Sequence, residues 1–156
     1  MTALANWKAP ACLMAALALI SFPVYLAWEW IQCQPFFVHR AAPPTLASML
    51  IATLGDVLLT LIAYCAVAAV YGASWPLRNW TFGVWIALLV VALILSIAVE
   101  TYALQTYRWA YTDAAPLFLG TPISVLPAAQ LLVLFPLSFP LARALTRRIV
   151  QTGILR

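Results

Sequence analysis

Four long apolar stretches, at about residues 9–32, 46–71, 82–104 and 123–145, constrain this chain more than any other feature of its sequence. A hydrocarbon layer of about 30 Å is crossed by about 20 predominantly apolar residues in a helix, so each stretch is long enough to span it once. Backbone groups in lipid must find their hydrogen bonds within the protein, which leaves helices or a closed barrel. Barrel strands alternate polar and apolar residues over about ten positions, whereas Trp85 to Ala98 runs apolar with a single serine. The expected fold is therefore all-α, an integral membrane four-helix bundle. It forms one domain over residues 1–156, with 146–156 as a basic tail.

Composition points the same way. With 66% of its 156 residues hydrophobic and only 8% charged, the chain has too little polar surface to solvate a globule. The first stretch could pass for a signal peptide, because Lys8 precedes it. It exceeds the usual apolar core of about 7–15 residues and lacks a small-x-small cleavage site, so it reads as an uncleaved span. Cys12, Cys33 and Cys65 are too few and too scattered for a disulfide framework or a zinc site.

Four spans place both termini and the middle loop on one side, and that side collects Lys8, Arg78, Arg143, Arg147, Arg148 and Arg156. The opposite side holds only Arg40 and Arg108. Cytoplasmic loops are the ones enriched in Lys and Arg, which predicts cytoplasmic termini and a bacterial inner-membrane location. The net charge of +4 is then accounted for by the anionic inner leaflet, and no surface is left over for nucleic acid. Trp28, Trp30, Trp75, Trp80 and Trp109 fall near span ends, as an interfacial aromatic belt would.

Only four carboxylates exist: Glu29, Asp56, Glu100 and Asp113. An ionisable group inside a span is costly and marks a candidate site. At about 1.5 Å per residue, Glu29 lies roughly 5 Å, Glu100 roughly 6 Å and Gln130 roughly 10 Å inside the outer ends of their spans, with Asp56 roughly 15 Å down. Helical spacing aligns Tyr25, Glu29 and Gln32 on one face of the first span, and Thr53, Asp56, Thr60 and Tyr64 on one face of the second. A third span continued outward would align Glu100 with Tyr107 and Tyr111. Arg40 and Arg108 are the expected counter-charges of Glu29 and Glu100, able to clamp a carboxylate or a phosphate. A metal held by Glu29, Asp56, Glu100 and His39 has no supporting ligand spacing, so no metal site and no cofactor are assigned. Pro127, Pro136 and Pro140 in the fourth span predict a kinked or partly unwound helix, although Pro127 could sit in the first turn behind a Ser124 cap.

The pattern Trp28-Glu29-Trp30-Ile31-Gln32-x-x-Pro35, Gly55-Asp56, Glu100, Arg108-Trp109-x-Tyr111, Pro116 and Leu126-Pro127-x-x-Gln130 resembles a family of small four-span bacterial inner-membrane proteins. The resemblance covers about residues 25–145 and brings no activity with it. Size, four spans and outward-facing acids are also similar to lipoprotein signal peptidase, but its two aspartate motifs do not occur here. Glu29-x-x-Gln32 followed by Arg40 resembles VanZ-like proteins, from which the later residues depart in order and spacing.

The expected function is binding or processing of an amphipathic or isoprenoid-like lipid in a polar pocket of the outer leaflet. Asp56 and Glu100 are the candidate catalytic acid and base. Glu29, Gln32, Arg40, Arg108, Tyr111 and Gln130 are the candidate binding residues. Two other readings use the same residues. In one the chain is a non-enzymatic accessory subunit, glued to a membrane-protein partner or to further copies of itself by interhelical hydrogen bonds. In the other it is a small transporter or proton path.

Overall fold

The computed structural model describes residues 8–39 and 45–152, apart from the side chains of Gln34 and His39. Helix α1 spans Lys8–Phe36, α2 Leu46–Tyr71, α3 Phe82–Gln105 and α4 Val125–Gln151. All four are long and apolar enough to cross a membrane. Two three-residue strands, β1 at Phe37–His39 and β2 at Trp109–Tyr111, follow α1 and α3. A 3₁₀ turn at Trp75–Leu77 joins α2 to α3.

Local chemistry fixes the helix ends. Thr45 and Ser48 form a reciprocal capping box at the start of α2, with Ser48 N donating to Thr45 Oγ1 at 3.1 Å and Thr45 N to Ser48 Oγ at 2.9 Å. Gly72, at φ 84°, closes the other end by donating to Ala68 O at 2.8 Å. Ser124 caps α4 by accepting from Leu126 N at 3.2 Å. Pro127 therefore falls in the first turn, where a missing N–H costs little.

Beyond it, α4 stays helical through Pro136 and Pro140 as far as Gln151, so the expected unwinding does not occur. Residues 146–151, expected in a tail, are its last turns. Arg147 there donates to Leu77 O at 2.6 Å and Arg143 to Asn79 Oδ1 at 3.3 Å, holding the α2–α3 connection. α1 likewise runs past Gln32 and through Pro35.

The bundle buries hydroxyl side chains beside an apolar core of Leu13, Leu17, Leu88, Phe135 and Phe139, and its outside is apolar as well. Ser21, Thr53, Thr60, Ser96, Ser138 and Thr146 are buried, while Leu19, Ile51, Val70, Phe82 and Ile94 are exposed. That distribution suits helices whose outer solvent is hydrocarbon and whose contacts include small and hydroxyl side chains. Tyr25 and Thr60 share a buried hydrogen bond of 2.8 Å between α1 and α2. α1 packs on α2 and α4, and α3 packs chiefly on α4 and more lightly on α2.

Each end of the bundle is fastened differently. At the end where α1 begins and α4 finishes, Trp75 is 2% exposed. Its ring centroid lies 5.2 Å from those of both Trp80 and Phe139, and Tyr64 stacks on it at 6.5 Å. The expected interfacial Trp75 is a core residue, because the 3₁₀ turn folds it back under the helices. At the opposite end β1 and β2 pair antiparallel, with Phe37 opposite Tyr111 and His39 opposite Trp109. Thr112 Oγ1 adds a 2.8 Å bond to Pro35 O.

Candidate functional site

Amide and carboxyl groups of three helices meet near the strand end of the bundle. Along α1, Trp28 Nε1 donates to Gln32 Oε1 at 2.6 Å, and Gln32 Nε2 donates to Glu29 Oε1 at 2.7 Å. Cys33 Sγ reaches Glu29 Oε2 at 3.2 Å. Gln32 Nε2 also crosses to Gln130 Oε1 on α4 at 3.1 Å, and Gln130 Nε2 continues to Asp56 Oδ2 on α2 at 2.7 Å. Glu29 and Asp56 are close enough for their carboxyl groups to interact directly. Positions 29, 32 and 33 share a face of α1 through the helical repeat, which is why one segment supplies three members of the network.

Glu100 on α3, 2% exposed, is held from the sheet. Trp109 Nε1 donates to Glu100 Oε1 at 2.9 Å, and the Tyr111 hydroxyl donates to the same oxygen. The route by which Tyr111 arrives differs from the expected one. α3 stops at Gln105 because Tyr107 turns left-handed, φ 56°, and Arg108 N bonds back to Ala103 O at 3.0 Å in a Schellman-type closure. The chain then reverses into β2, which carries Trp109 and Tyr111 back over Glu100. Tyr107 is left exposed. Arg108 does not pair with Glu100; its guanidinium lies over the Tyr102 ring, 5.7 Å from the centroid.

These groups line a cavity of about 570 Å³. Its walls come from α2 (Met49, Ala52, Gly55, Leu59) and α3 (Ser96, Val99), its floor from the network, and Arg108 and Trp109 stand at the strand end. Exposed Ile51 and Leu58 form its outer lip. The cavity is thus a cleft in the lighter α2–α3 seam, open sideways between two helices.

Of the expected site residues, Glu29, Gln32, Asp56, Glu100, Arg108 and Gln130 line this one cleft. Tyr111 braces Glu100, and Arg40 lies outside the described residues. Among the described residues no group of three His, Cys, Asp or Glu side chains is disposed to hold a metal ion. Residues missed from the sequence are Trp28 and Trp109, which act as indole donors into the network, and Cys33. Their spacing from Gln32, Glu100 and Glu29 (four, nine and four positions) offered a signal for the two within α1 only.

Two measurements probe this geometry. A Cβ added at Gly55 meets nothing within 4 Å, so Gly55→Ala is expected to raise stability by up to about 1 kcal/mol through helix propensity. Thermal unfolding in detergent would show it. Burial first, and then its bond to Glu100, hold the Tyr111 phenol above the usual range. A folded-state value raised above the unfolded one stabilises the fold fully below the ordinary tyrosine range near pH ~10. That contribution is lost as pH rises beyond it. Wild-type protein should therefore lose stability above that pH more steeply than Tyr111→Phe, as followed by alkaline titration of the melting temperature.

Comparison of the chain with protein-family models, with curated proteins and with solved structures finds no match.

Proposed function

We propose that the chain is a multi-pass bacterial inner-membrane protein with cytoplasmic termini, and that its α2–α3 cleft binds or processes an amphipathic or isoprenoid-like lipid. The observation carrying this reading is the make-up of the cleft. An apolar lip at Ile51 and Leu58 faces outward, and a floor of Glu29, Gln32, Asp56, Gln130 and Glu100 lies behind it. A volume of about 570 Å³ falls within the ~300–1,000 Å³ usual for small-molecule sites. A molecule that is apolar along its length and polar at one end matches both surfaces without leaving the membrane. Six basic residues at the termini side against two at the other support an outer-leaflet position for the cleft. The proposal also groups the chain with the small inner-membrane proteins that share its Trp-Glu-Trp, Gly-Asp and Leu-Pro-x-x-Gln pattern.

As an enzyme, it would use Asp56 or Glu100 as general acid or base, and Arg108 at the mouth would hold an anionic headgroup. Lipid mass spectrometry of the full chain, purified in mild detergent, tests the reading. Wild type is expected to retain a lipid that Gly55→Trp, whose indole would fill the cleft, retains at least roughly tenfold less. Equal retention by both would refute it.

One observation favours the accessory-subunit reading instead: Gln32, Glu29, Gln130 and Asp56 already bond one another across α1, α4 and α2. If these groups are only interhelical glue, Asp56→Asn lowers abundance or partner co-purification and leaves lipid content unchanged.

A further inference from the structure

The donors and acceptors of the cleft show what kind of headgroup it lacks. Gln32 spends both N–H bonds of its amide, on Glu29 and on Gln130. Gln130 spends one on Asp56, and only its second remains. On the acceptor side, both Glu29 oxygens are engaged, by Gln32 and Cys33. Glu100 Oε2 takes no hydrogen bond from any described residue, although Glu100 is 2% exposed and lines the cavity, and Asp56 there faces a second carboxyl group, that of Glu29. The unused capacity is therefore mostly acceptor.

Charge agrees with the count. Three carboxyl groups stand around one apolar-walled space, and the cationic side chain that the described residues bring to it is Arg108, exposed at the mouth and laid over Tyr102. Burying carboxylates without an opposing cation is costly, and a ligand carrying positive charge offsets that cost.

Resting on the lipid reading above, we infer that the cleft takes a lipid whose headgroup carries a primary ammonium, inserted between Asp56 and Glu100, with the linking phosphate on Arg108. An ammonium supplies three donors and no acceptor, which matches free carboxyl oxygens. Arg108 at the mouth suits the phosphate, since a guanidinium pairs two parallel N–H bonds with such an anion. The polar groups then follow the order of an aminophospholipid headgroup, anion outward and cation inward. Its acyl chains leave past Ile51 and Leu58.

Native mass spectrometry of the full-length protein in detergent, titrated separately with dioleoyl phosphatidylethanolamine, its N-acetylated derivative and dioleoyl phosphatidylglycerol, tests the assignment. Phosphatidylethanolamine is expected to bind at least roughly tenfold more tightly than the other two, as a charge-assisted hydrogen bond warrants. Glu100→Gln and Asp56→Asn should each reduce that preference. Both amides still accept from Trp109 and Tyr111, or from Gln130, and elution as a monodisperse helical species confirms that they fold. Equal binding of all three lipids, with binding blocked by Gly55→Trp, overturns the ammonium and leaves the lipid reading standing. Tighter binding of the phosphatidylglycerol overturns it in favour of a polyol headgroup. Absence of any lipid binding to wild type overturns both.

Discussion

Gln130→Leu is expected to lower the stability of the bundle by roughly 2 kcal/mol, the cost of leaving a buried polar group without its partner. Gln130 is 4% exposed and joins α4 both to α1, through Gln32 Nε2 at 3.1 Å, and to α2, through Asp56 Oδ2 at 2.7 Å. Interhelical hydrogen bonds in membrane proteins average only about 0.6 kcal/mol, because freed groups find other partners. Here the two bonds differ in that respect. Gln32 keeps Glu29 as an acceptor, so its loss is small. Asp56 loses its amide donor and is left facing only the acidic group of Glu29, so its loss dominates. Tyr25→Phe is the comparison. It deletes the Tyr25–Thr60 bond while Thr60 Oγ1 keeps Asp56 O as its acceptor at 2.9 Å, and it should cost near that average of about 0.6 kcal/mol. Unfolding of both variants in mixed micelles by increasing sodium dodecyl sulfate would rank them. Equal costs would show that Gln130 bridges nothing of consequence.

The second large effect is local. Glu100→Ala removes the single oxygen on which Trp109 Nε1 and the Tyr111 hydroxyl converge, so β2 loses both side-chain anchors to α3. Each abandoned donor costs about 1–3 kcal/mol. Removing a buried carboxyl also relieves its own burial cost, which makes global stability a poor gauge. Hydrogen exchange of the backbone amides at 109–112 isolates the anchor, and it is expected to accelerate by about tenfold or more, since about 1.4 kcal/mol of local opening free energy is one decade. Glu100→Gln retains an acceptor and should stay near wild type. Unchanged exchange in the alanine variant would mean that β1 pairing and the Thr112–Pro35 bond hold the strand by themselves.

The helices were legible because lipid solubility leaves a length requirement that apolar runs record directly. The expected 46–71 coincides with α2. Ends were less legible where composition and backbone disagree. The apolar pattern fades at Arg147 and Arg148, yet α4 continues to Gln151 because those side chains point to the Leu77 carbonyl and to solvent rather than into hydrocarbon. In the site, Glu29 and Gln32 share a face through the helical repeat, and depth along the spans sets Asp56 in the same half of the bundle. The pairing of Glu100 with Tyr111 was not legible in that way. Their contact depends on a left-handed residue at Tyr107 and on three-residue strands paired across 70 to 74 positions, too short to leave any periodicity. Sequence proximity misdirected the reading of Arg108, since the same reversal that delivers Trp109 and Tyr111 to Glu100 turns Arg108 toward Tyr102.

α3 has the smallest buried share of the four helices, 22% of its most apolar window against 44% for α4. In a bilayer its principal neighbour is hydrocarbon, not protein. Its 24 residues reach roughly 36 Å at ~1.5 Å per residue, longer than an average hydrocarbon layer of ~30 Å, and such a helix relieves mismatch by tilting. Because α3 is one wall of the cleft, its tilt sets the gap to α2. A bilayer of different thickness is expected to change that tilt, and with it the width of the seam.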